Sequence, residues 1–178
     1  MPRFTTVLFA FCVAPAVTAE VTHLDDHGFV SQHSLLLNTS PTRAYQALTT
    51  DIAQWWDAEH SYSGQAENFS LDAKAGGCFC EKLPNGGSVE HMRVAFADPG
   101  KRLRLLGGLG PLQEMAVSGS MDFILQAEGE NKTRLTYRYS VGGYLPGGLK
   151  PLANPVDQVQ LGQLTRLQAY VDKLGKRN

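Results

Sequence analysis

Hydrophobic and polar residues alternate through most of the chain between residues 68 and 143, and this period of two predicts β-strands. Turn-forming residues separate the alternating segments, and Asn85-Gly86 in particular is typical of a hairpin. One further strand is predicted ahead of this region. The predicted strands cover residues 29–37, 69–71, 78–83, 88–97, 102–106, 115–128 and 133–141, so the sequence predicts about seven strands.

Helical patterns flank the strands. Ser40-Pro41 combines an N-cap residue with a proline suited to the first helical position, which predicts a short helix after the first strand. A second short helix is expected after Thr50 or Asp51. At the end of the chain, a long amphipathic helix is predicted to begin at Asn154-Pro155. Its apolar face comprises Val156, Val159, Leu164, Leu167, Val171 and Leu174.

Residues 1–19 have the pattern of a secretory signal peptide. Arg3 precedes an apolar run, and Val17-Thr18-Ala19 supplies the small residues of a cleavage site before Glu20. The run is too short for a stable membrane-spanning helix, which needs about 20 apolar residues. We therefore expect an exported protein, periplasmic or secreted, with one domain over residues 20–178 and no membrane span after cleavage. The alternative is an uncleaved N-terminal anchor.

Charge and cysteine content narrow the function classes. The chain has 16 basic and 17 acidic residues, and loss of Arg3 makes the balance slightly more acidic. Since nucleic-acid binding usually needs a basic excess or stripe, no nucleic-acid partner is expected. Removal of Cys12 with the signal leaves only Cys78 and Cys80, too few for an exported disulfide scaffold. The fold is therefore expected to depend on its hydrophobic core.

Several segments of residues 20–178 resemble one protein family. They are Ala44 to Thr49, Gln54-Trp55-Trp56, Gly76-Gly77 just before Phe79, and Asp98 to Leu103. They resemble the START-related (SRPBCC, helix-grip) superfamily, in the subgroup related to activators of the heat-shock chaperone ATPase. The resemblance implies an α+β fold, with a curved antiparallel sheet around a long C-terminal helix and a cavity between them. It specifies the fold better than the function. Because the activators are cytosolic, the export signal argues against chaperone activation.

The predicted hairpin sorts its side chains by face. With Asn85-Gly86 at the turn, Glu81 lies opposite Glu90 and Cys80 opposite His91. The more apolar face, expected to point inward, carries Phe79, Glu81, Leu83, Glu90, Met92, Val94 and Phe96. Two opposed carboxylates repel each other, so one of them could keep its proton. Alternatively, both are solvated or paired with Arg93 or Lys82. A one-residue slip or a bulge would exchange the two faces.

The opposite face places Cys78, Cys80 and His91 together, and these could supply three ligands for zinc or copper. Cys-x-Cys is a weak metal motif, however, and two cysteines on one strand face bridge poorly without strain. The simpler interpretation is that both cysteines pack as small apolar residues. We therefore expect no metal site and no cofactor.

Other candidate residues lie around the implied cavity. Trp55 and Trp56 belong to the segment that caps the cavity in this superfamily, although at least one of them is expected in the core. His60 is a candidate pocket histidine or general base, or a solvated loop histidine. Because Tyr137 and Tyr139 share a strand face, their hydroxyls could either line one wall of the cavity or lie on the outer face of the sheet. The candidate ligand-binding residues are Trp55, Trp56, His60, Glu81, Glu90, Met92, Tyr137 and Tyr139.

Three functions fit these features. The leading one is an exported binding protein for a small hydrophobic or aromatic molecule held between sheet and helix. The second is a cyclase, dehydratase or hydrolase that uses Glu81, Glu90 or His60 as acid and base. The third is an envelope protein that presents a surface to an unknown protein partner. The sequence has no Ser nucleophile elbow and no phosphate-binding glycine motif, so catalytic residues stay unassigned.

Overall fold

A computed structural model of the protein describes residues 20–175, within which the main elements are eight β-strands and two α-helices. The expected signal peptide, residues 1–19, lies outside the described residues. The strands are β1 Glu20–Leu24, β2 Gly28–Leu37, β3 Phe69–Leu71, β4 Cys78–Lys82, β5 Ser88–Asp98, β6 Arg102–Gly107, β7 Val117–Ala127 and β8 Thr133–Gly143.

All eight described strands form one curved antiparallel sheet, in the order β1-β2-β8-β7-β6-β5-β4-β3. The expectation of about seven strands was wrong by one because β1 was missed. β1 is a short edge strand whose Thr22, His23 and Leu24 are exposed. Since an edge strand of this kind buries little on either face, it shows no clear alternation of apolar and polar residues.

The first helix, α1, spans Pro41–Leu48, as Ser40-Pro41 predicted. The Arg43 backbone N–H donates to Ser40 Oγ at 3.4 Å. The expected second helix is instead a set of single 3-10 turns, Ile52–Gln54, Ala58–His60 and Ala66–Asn68. The backbone leaves the helical conformation at Trp55 (φ −133°) and again at Asp57 (ψ 120°), so the turns do not join into one helix. Both tryptophan side chains in this irregular segment are buried.

The second helix, α2, spans Lys150–Gly175 and packs across the concave side of the sheet, mainly against β2. It begins a full turn before the predicted start, which places Pro155 inside the helix. Pro155 has no N–H, so one carbonyl of the first turn lacks its helical partner. Leu164, Leu167 and Val171 are buried in the core, as expected. No helix within residues 20–175 has both the length and the apolar character needed to cross a membrane.

Cys78 and Cys80 form a disulfide within β4, with their Cα atoms 5.3 Å apart. The expectation that these residues remain unbridged was therefore wrong. A Cα separation of this size is within the range that disulfides adopt. Because both thiols are used in the bridge, Cys78 and Cys80 do not serve as metal ligands together with His91.

Candidate functional site

A cavity of about 380 Å³ lies between the N-terminal half of α2 and two loops, residues 56–62 and 109–115. Its volume is in the range of small-molecule sites. The lining is mostly apolar, with a few polar side chains around it. The lining residues are Trp56, Glu59, His60, Ser61, Tyr62, His91, Leu109, Gly110, Pro111, Leu112, Met115, Leu152, Pro155, Val156, Val159 and Gln160.

The two tryptophans have different roles. Trp56 lines the cavity, and its ring centroid lies 5.1 Å from that of Phe79. Its Nε1–H donates to the His60 carbonyl oxygen at 3.1 Å, so Trp56 also ties the cavity loop to the core. Trp55 does not line the cavity and is 4% exposed. Its Nε1–H donates to the Ala47 carbonyl oxygen at 2.7 Å, which makes it a core residue.

Glu81 holds the loop that carries Trp56 and Tyr62. Its side chain is buried, and its carboxylate accepts the backbone N–H of Tyr62 at 3.1 Å and that of Ser63 at 2.5 Å. Burial raises the pKa of Glu81, but the hydrogen bonds from Ser63, Tyr62 and His91 outweigh it and lower this pKa overall. Glu81 is therefore ionised at neutral pH. It acts as a hydrogen-bond acceptor for the loop and does not itself line the cavity.

Glu90 does not face Glu81. It is exposed on the outer face of the sheet, where it pairs with Arg93, so the expectation of two opposed inward carboxylates was wrong. The predicted register holds at Phe79 and Met92, but nearer the turn Glu81 pairs with Val89, one residue away from the prediction. A second irregularity in β5 leaves Phe96 exposed, contrary to its expected inward position.

The register changes at a bulge that turns His91 inward. Gln113 Nε2 donates to the carbonyl oxygens of Glu90 at 2.6 Å and His91 at 3.1 Å, and so supplies partners for carbonyl groups at the bulge. The imidazole is 3% exposed and packs 5.2 Å from the rings of Phe69 and Phe79. His91 was expected on the opposite face, among potential metal ligands.

His91 and Glu81 form a buried pair with a defined proton position. His91 Nε2 lies 2.9 Å from Glu81 Oε2. Burial lowers the pKa of His91, although the neighbouring Glu81 acts in the opposite direction. The imidazole is thus neutral at neutral pH. Because an ionised carboxylate only accepts hydrogen bonds, Nε2 carries the proton and Nδ1 keeps a lone pair. Within residues 20–175, that Nδ1 atom has no hydrogen-bond partner.

Three further candidates lie behind the cavity wall and do not line it. Met92 is buried in the core opposite Phe79. The Tyr137 hydroxyl donates to Gln160 Oε1 at 2.9 Å and so orients a lining amide. The Tyr139 hydroxyl accepts the Leu109 N–H at 3.2 Å, which holds the second loop. Burial raises the pKa of Tyr137 well above its usual value and that of Tyr139 to about 12, so both stay protonated.

His60 lines the cavity. Its side chain is 42% exposed, and its Nδ1 lies 3.7 Å from Asp57 Oδ2. The contact is too long for a hydrogen bond that would fix a tautomer. His60 is thus a partly exposed lining residue without an orienting hydrogen bond.

Sequence reasoning missed several lining residues. Gly107 to Pro111 was interpreted only as a glycine-rich loop and Met115 as the start of a strand, although residues 109–115 form one wall of the cavity. Val156 and Val159 were predicted on the apolar face of the last helix, and their incomplete burial is now explained by the cavity. His91 could have been found only through the bulge, which the sequence left as an open alternative.

Comparison with known proteins supports the fold. No family model matches the sequence, and no curated protein matches it. Among solved structures, a protein from Rhizobium loti has 21% identity and a TM-score of 0.59 over 79% of this chain and 94% of that one. A conserved protein of unknown function from Enterococcus faecalis has 16% identity and a TM-score of 0.57 over 87% of this chain and 76% of that one.

A third neighbour belongs to the dynemicin biosynthetic locus, with 18% identity and a TM-score of 0.56 over 84% of this chain and 48% of that one. This chain therefore spans about half the length of that protein. At these identities the neighbours show a shared fold, a sheet with a long C-terminal helix, and this fold is consistent with the helix-grip arrangement.

Proposed function

We propose that this protein is a START-related binding protein that holds a small hydrophobic or aromatic molecule between the sheet and α2. The observation that carries the proposal is the cavity of about 380 Å³, whose apolar lining is interrupted by a few polar groups. The proposal includes export, with residues 1–19 as the signal peptide. It does not include chaperone activation, which the expected export argues against.

The hydrogen bonds that hold the two cavity loops support the binding proposal. Glu81 fixes the first loop through two backbone N–H groups, and Tyr139 fixes the second. Gln163 Oε1 additionally accepts the Asp57 N–H at 2.9 Å, which ties the first loop to α2. Because the two loops are already held in place, little conformational entropy of the protein is lost when a ligand binds. Such a cavity favours the binding of a small apolar molecule.

A second candidate function is acid–base catalysis, and the Glu81–His91 pair favours it. A carboxylate that orients a neutral imidazole is a common arrangement of a general base. The base would be His91 Nδ1, with Glu81 as its positioning residue. Glu90 and His60, considered from the sequence, are not placed for this role, since Glu90 faces outward and His60 has no orienting contact.

The two adjacent tryptophans provide a matched test of the binding proposal. The probe is 2-naphthol, added in competition with an environment-sensitive hydrophobic dye. Trp56→Ala should weaken 2-naphthol binding by about 1–3 kcal/mol, because one aromatic wall is lost. Trp55→Ala should leave the affinity of the folded protein nearly unchanged, while it destabilises the fold by about 3–5 kcal/mol.

Saturable binding with one-to-one stoichiometry is required, because a sticky surface would give neither. Absence of small-molecule binding in the wild type would contradict the proposal and favour the interaction-protein alternative. Native mass spectrometry of the exported protein, purified from its own source, adds a separate readout, since a ligand that is carried through purification appears as extra mass.

A further inference from the structure

We propose that the molecule held in this cavity carries a hydroxyl group on an aromatic body, and that His91 Nδ1 accepts the hydrogen bond of that hydroxyl. This inference rests on the proposed binding function and names the ligand class. It begins from the fixed tautomer of His91, whose Nε2–H is engaged by Glu81 Oε2 at 2.9 Å. The second ring nitrogen is left as an acceptor.

The unpartnered nitrogen has an energetic cost that a ligand would remove. A buried acceptor without a donor is destabilising, and few such groups remain in native proteins. Phenylalanine at position 91 would pack equally well among Phe69, Phe79 and Tyr62, and would need no carboxylate beside it. Compared with phenylalanine, the histidine adds one donor to Glu81 and one buried acceptor that has no partner within residues 20–175.

Tyr62 provides a route from the cavity to the imidazole. Both Tyr62 and His91 line the cavity, and their ring centroids are 5.8 Å apart. The Tyr62 residue is 48% exposed, whereas its backbone N–H is fixed by Glu81. The Tyr62 side chain can therefore turn away from the imidazole while the loop backbone stays in place.

The remaining lining residues indicate the polarity and charge of the rest of the ligand. Leu112, Met115, Val156 and Val159 offer contact surface for an apolar body. Among the described residues that line the cavity there is no lysine or arginine, and Glu59 adds an acidic group. An anionic ligand such as a carboxylate or a phosphate is disfavoured by this lining, so the hydrogen-bonding group is a neutral hydroxyl.

Two probes of nearly equal shape test this inference. 2-Naphthol and 2-methylnaphthalene differ only by a hydroxyl in place of a methyl group. A purely hydrophobic cavity would bind the methyl compound more tightly, because its hydroxyl analogue loses hydration on burial. We expect the reverse order in the wild-type protein, with 2-naphthol favoured by roughly 5- to 10-fold, the value of one net hydrogen bond.

His91→Phe should reverse the order, so that 2-methylnaphthalene binds more tightly, while His27→Phe, at an exposed histidine that does not line the cavity, should leave the wild-type preference unchanged. The wild-type protein supplies a readout that does not depend on whether a variant folds. In long-range ¹H–¹⁵N spectra, the His91 Nδ1 resonance should move with 2-naphthol and stay in place with 2-methylnaphthalene.

Failure of the two proposals can be told apart. If both probes bind and 2-methylnaphthalene is preferred in the wild type, the hydroxyl inference is wrong and the binding function stands. If neither probe binds, both proposals are overturned. An unchanged 2-naphthol preference in His91→Phe, or a static Nδ1 resonance at saturation, would also overturn the inference.

Discussion

Two buried histidine–carboxylate pairs occur in different regions of this molecule and invite comparison. His33 Nε2 lies 2.9 Å from Asp157 Oδ1, and His91 Nε2 lies 2.9 Å from Glu81 Oε2. In the part of the chain that the structure describes, Nδ1 lacks a partner in both histidines. Their local chemistry is thus nearly the same.

Their surroundings differ. Asp157 connects α2 to β2, and the Ser31 hydroxyl also donates to its Oδ1 at 2.6 Å. The His33 ring stacks 5.9 Å from that of Tyr137, and neither residue lines the cavity. His91 does line it, and Glu81 fixes a loop of the cavity wall. An unpartnered nitrogen is therefore no sign of a ligand by itself, and its position at a cavity gives it that meaning.

The largest expected effect on the free energy of unfolding comes from disruption of the His33–Asp157 pair, which lies away from the cavity. Asp157→Ala leaves His33 and Ser31 without their common acceptor, and each buried donor that loses its partner costs about 1–3 kcal/mol. Urea denaturation should show this loss in the free energy of unfolding. The affinity of the folded variant for 2-naphthol should change little. A loss below about 1 kcal/mol would mean that the pair contributes little to the connection between α2 and the sheet.

At the Glu81–His91 pair, Glu81→Gln should lower the free energy of unfolding by about 1–3 kcal/mol. The amide has one oxygen for the donors of Tyr62, Ser63 and His91, and it places an NH₂ group against one of them. Hydrogen exchange of the Tyr62 and Ser63 amides should accelerate. Glu90→Gln is the matched control on the outer face and should cost less than about 1 kcal/mol. Equal losses in the two variants would contradict the role given to Glu81.

The disulfide next to the bulge should have a smaller effect than a bridge that closes a long loop. Replacement of both Cys78 and Cys80 by serine should lower the free energy of unfolding by less than about 2 kcal/mol, since the bridge joins residues only two positions apart. Thermal denaturation measures this. A much larger loss, together with weaker 2-naphthol binding, would show that the bridge positions His91 through the bulge.

The pH dependence should be the smallest effect. The folded-state pKa of His91 is lowered, so the unfolded chain binds a proton more readily below its ordinary value of 6.5. Stability should therefore fall as the pH is lowered through 6.5. The lowered pKa of Glu81 adds a further loss below about pH 4.5. His91→Phe should reduce the difference in melting temperature between pH 7.5 and pH 5.5, and an unchanged difference would contradict this account.

The fold was largely predictable because its signals are local. Ser40-Pro41 gave the start of α1, and alternation gave seven of the eight described strands. Gly77 occupies a position that has no room for a side chain, since a Cβ there would lie 1.9 Å from the Asp72 carbonyl oxygen. The predicted start of α2 was wrong because two prolines, Pro151 and Pro155, both fit a helix start, and the earlier one is used.

The candidate site was less predictable, because it depends on contacts between distant segments. One extra residue at the bulge exchanged the faces of Glu90 and His91, and the alternation of apolar residues does not locate such a bulge. Trp55 and Trp56 are equivalent in the sequence and both are buried, and only their positions in the fold show that Trp56 lines the cavity while Trp55 does not.

The two tryptophan indole N–H groups allow the most direct test of the binding cavity. In a ¹H–¹⁵N spectrum, with signals assigned through Trp55→Phe and Trp56→Phe, 2-naphthol is titrated into the wild-type protein. We predict that the Trp56 indole signal shifts saturably at one-to-one stoichiometry, while that of Trp55 stays nearly fixed. A static Trp56 signal, or equal unsaturated shifts of both signals, would contradict a ligand cavity beside Trp56.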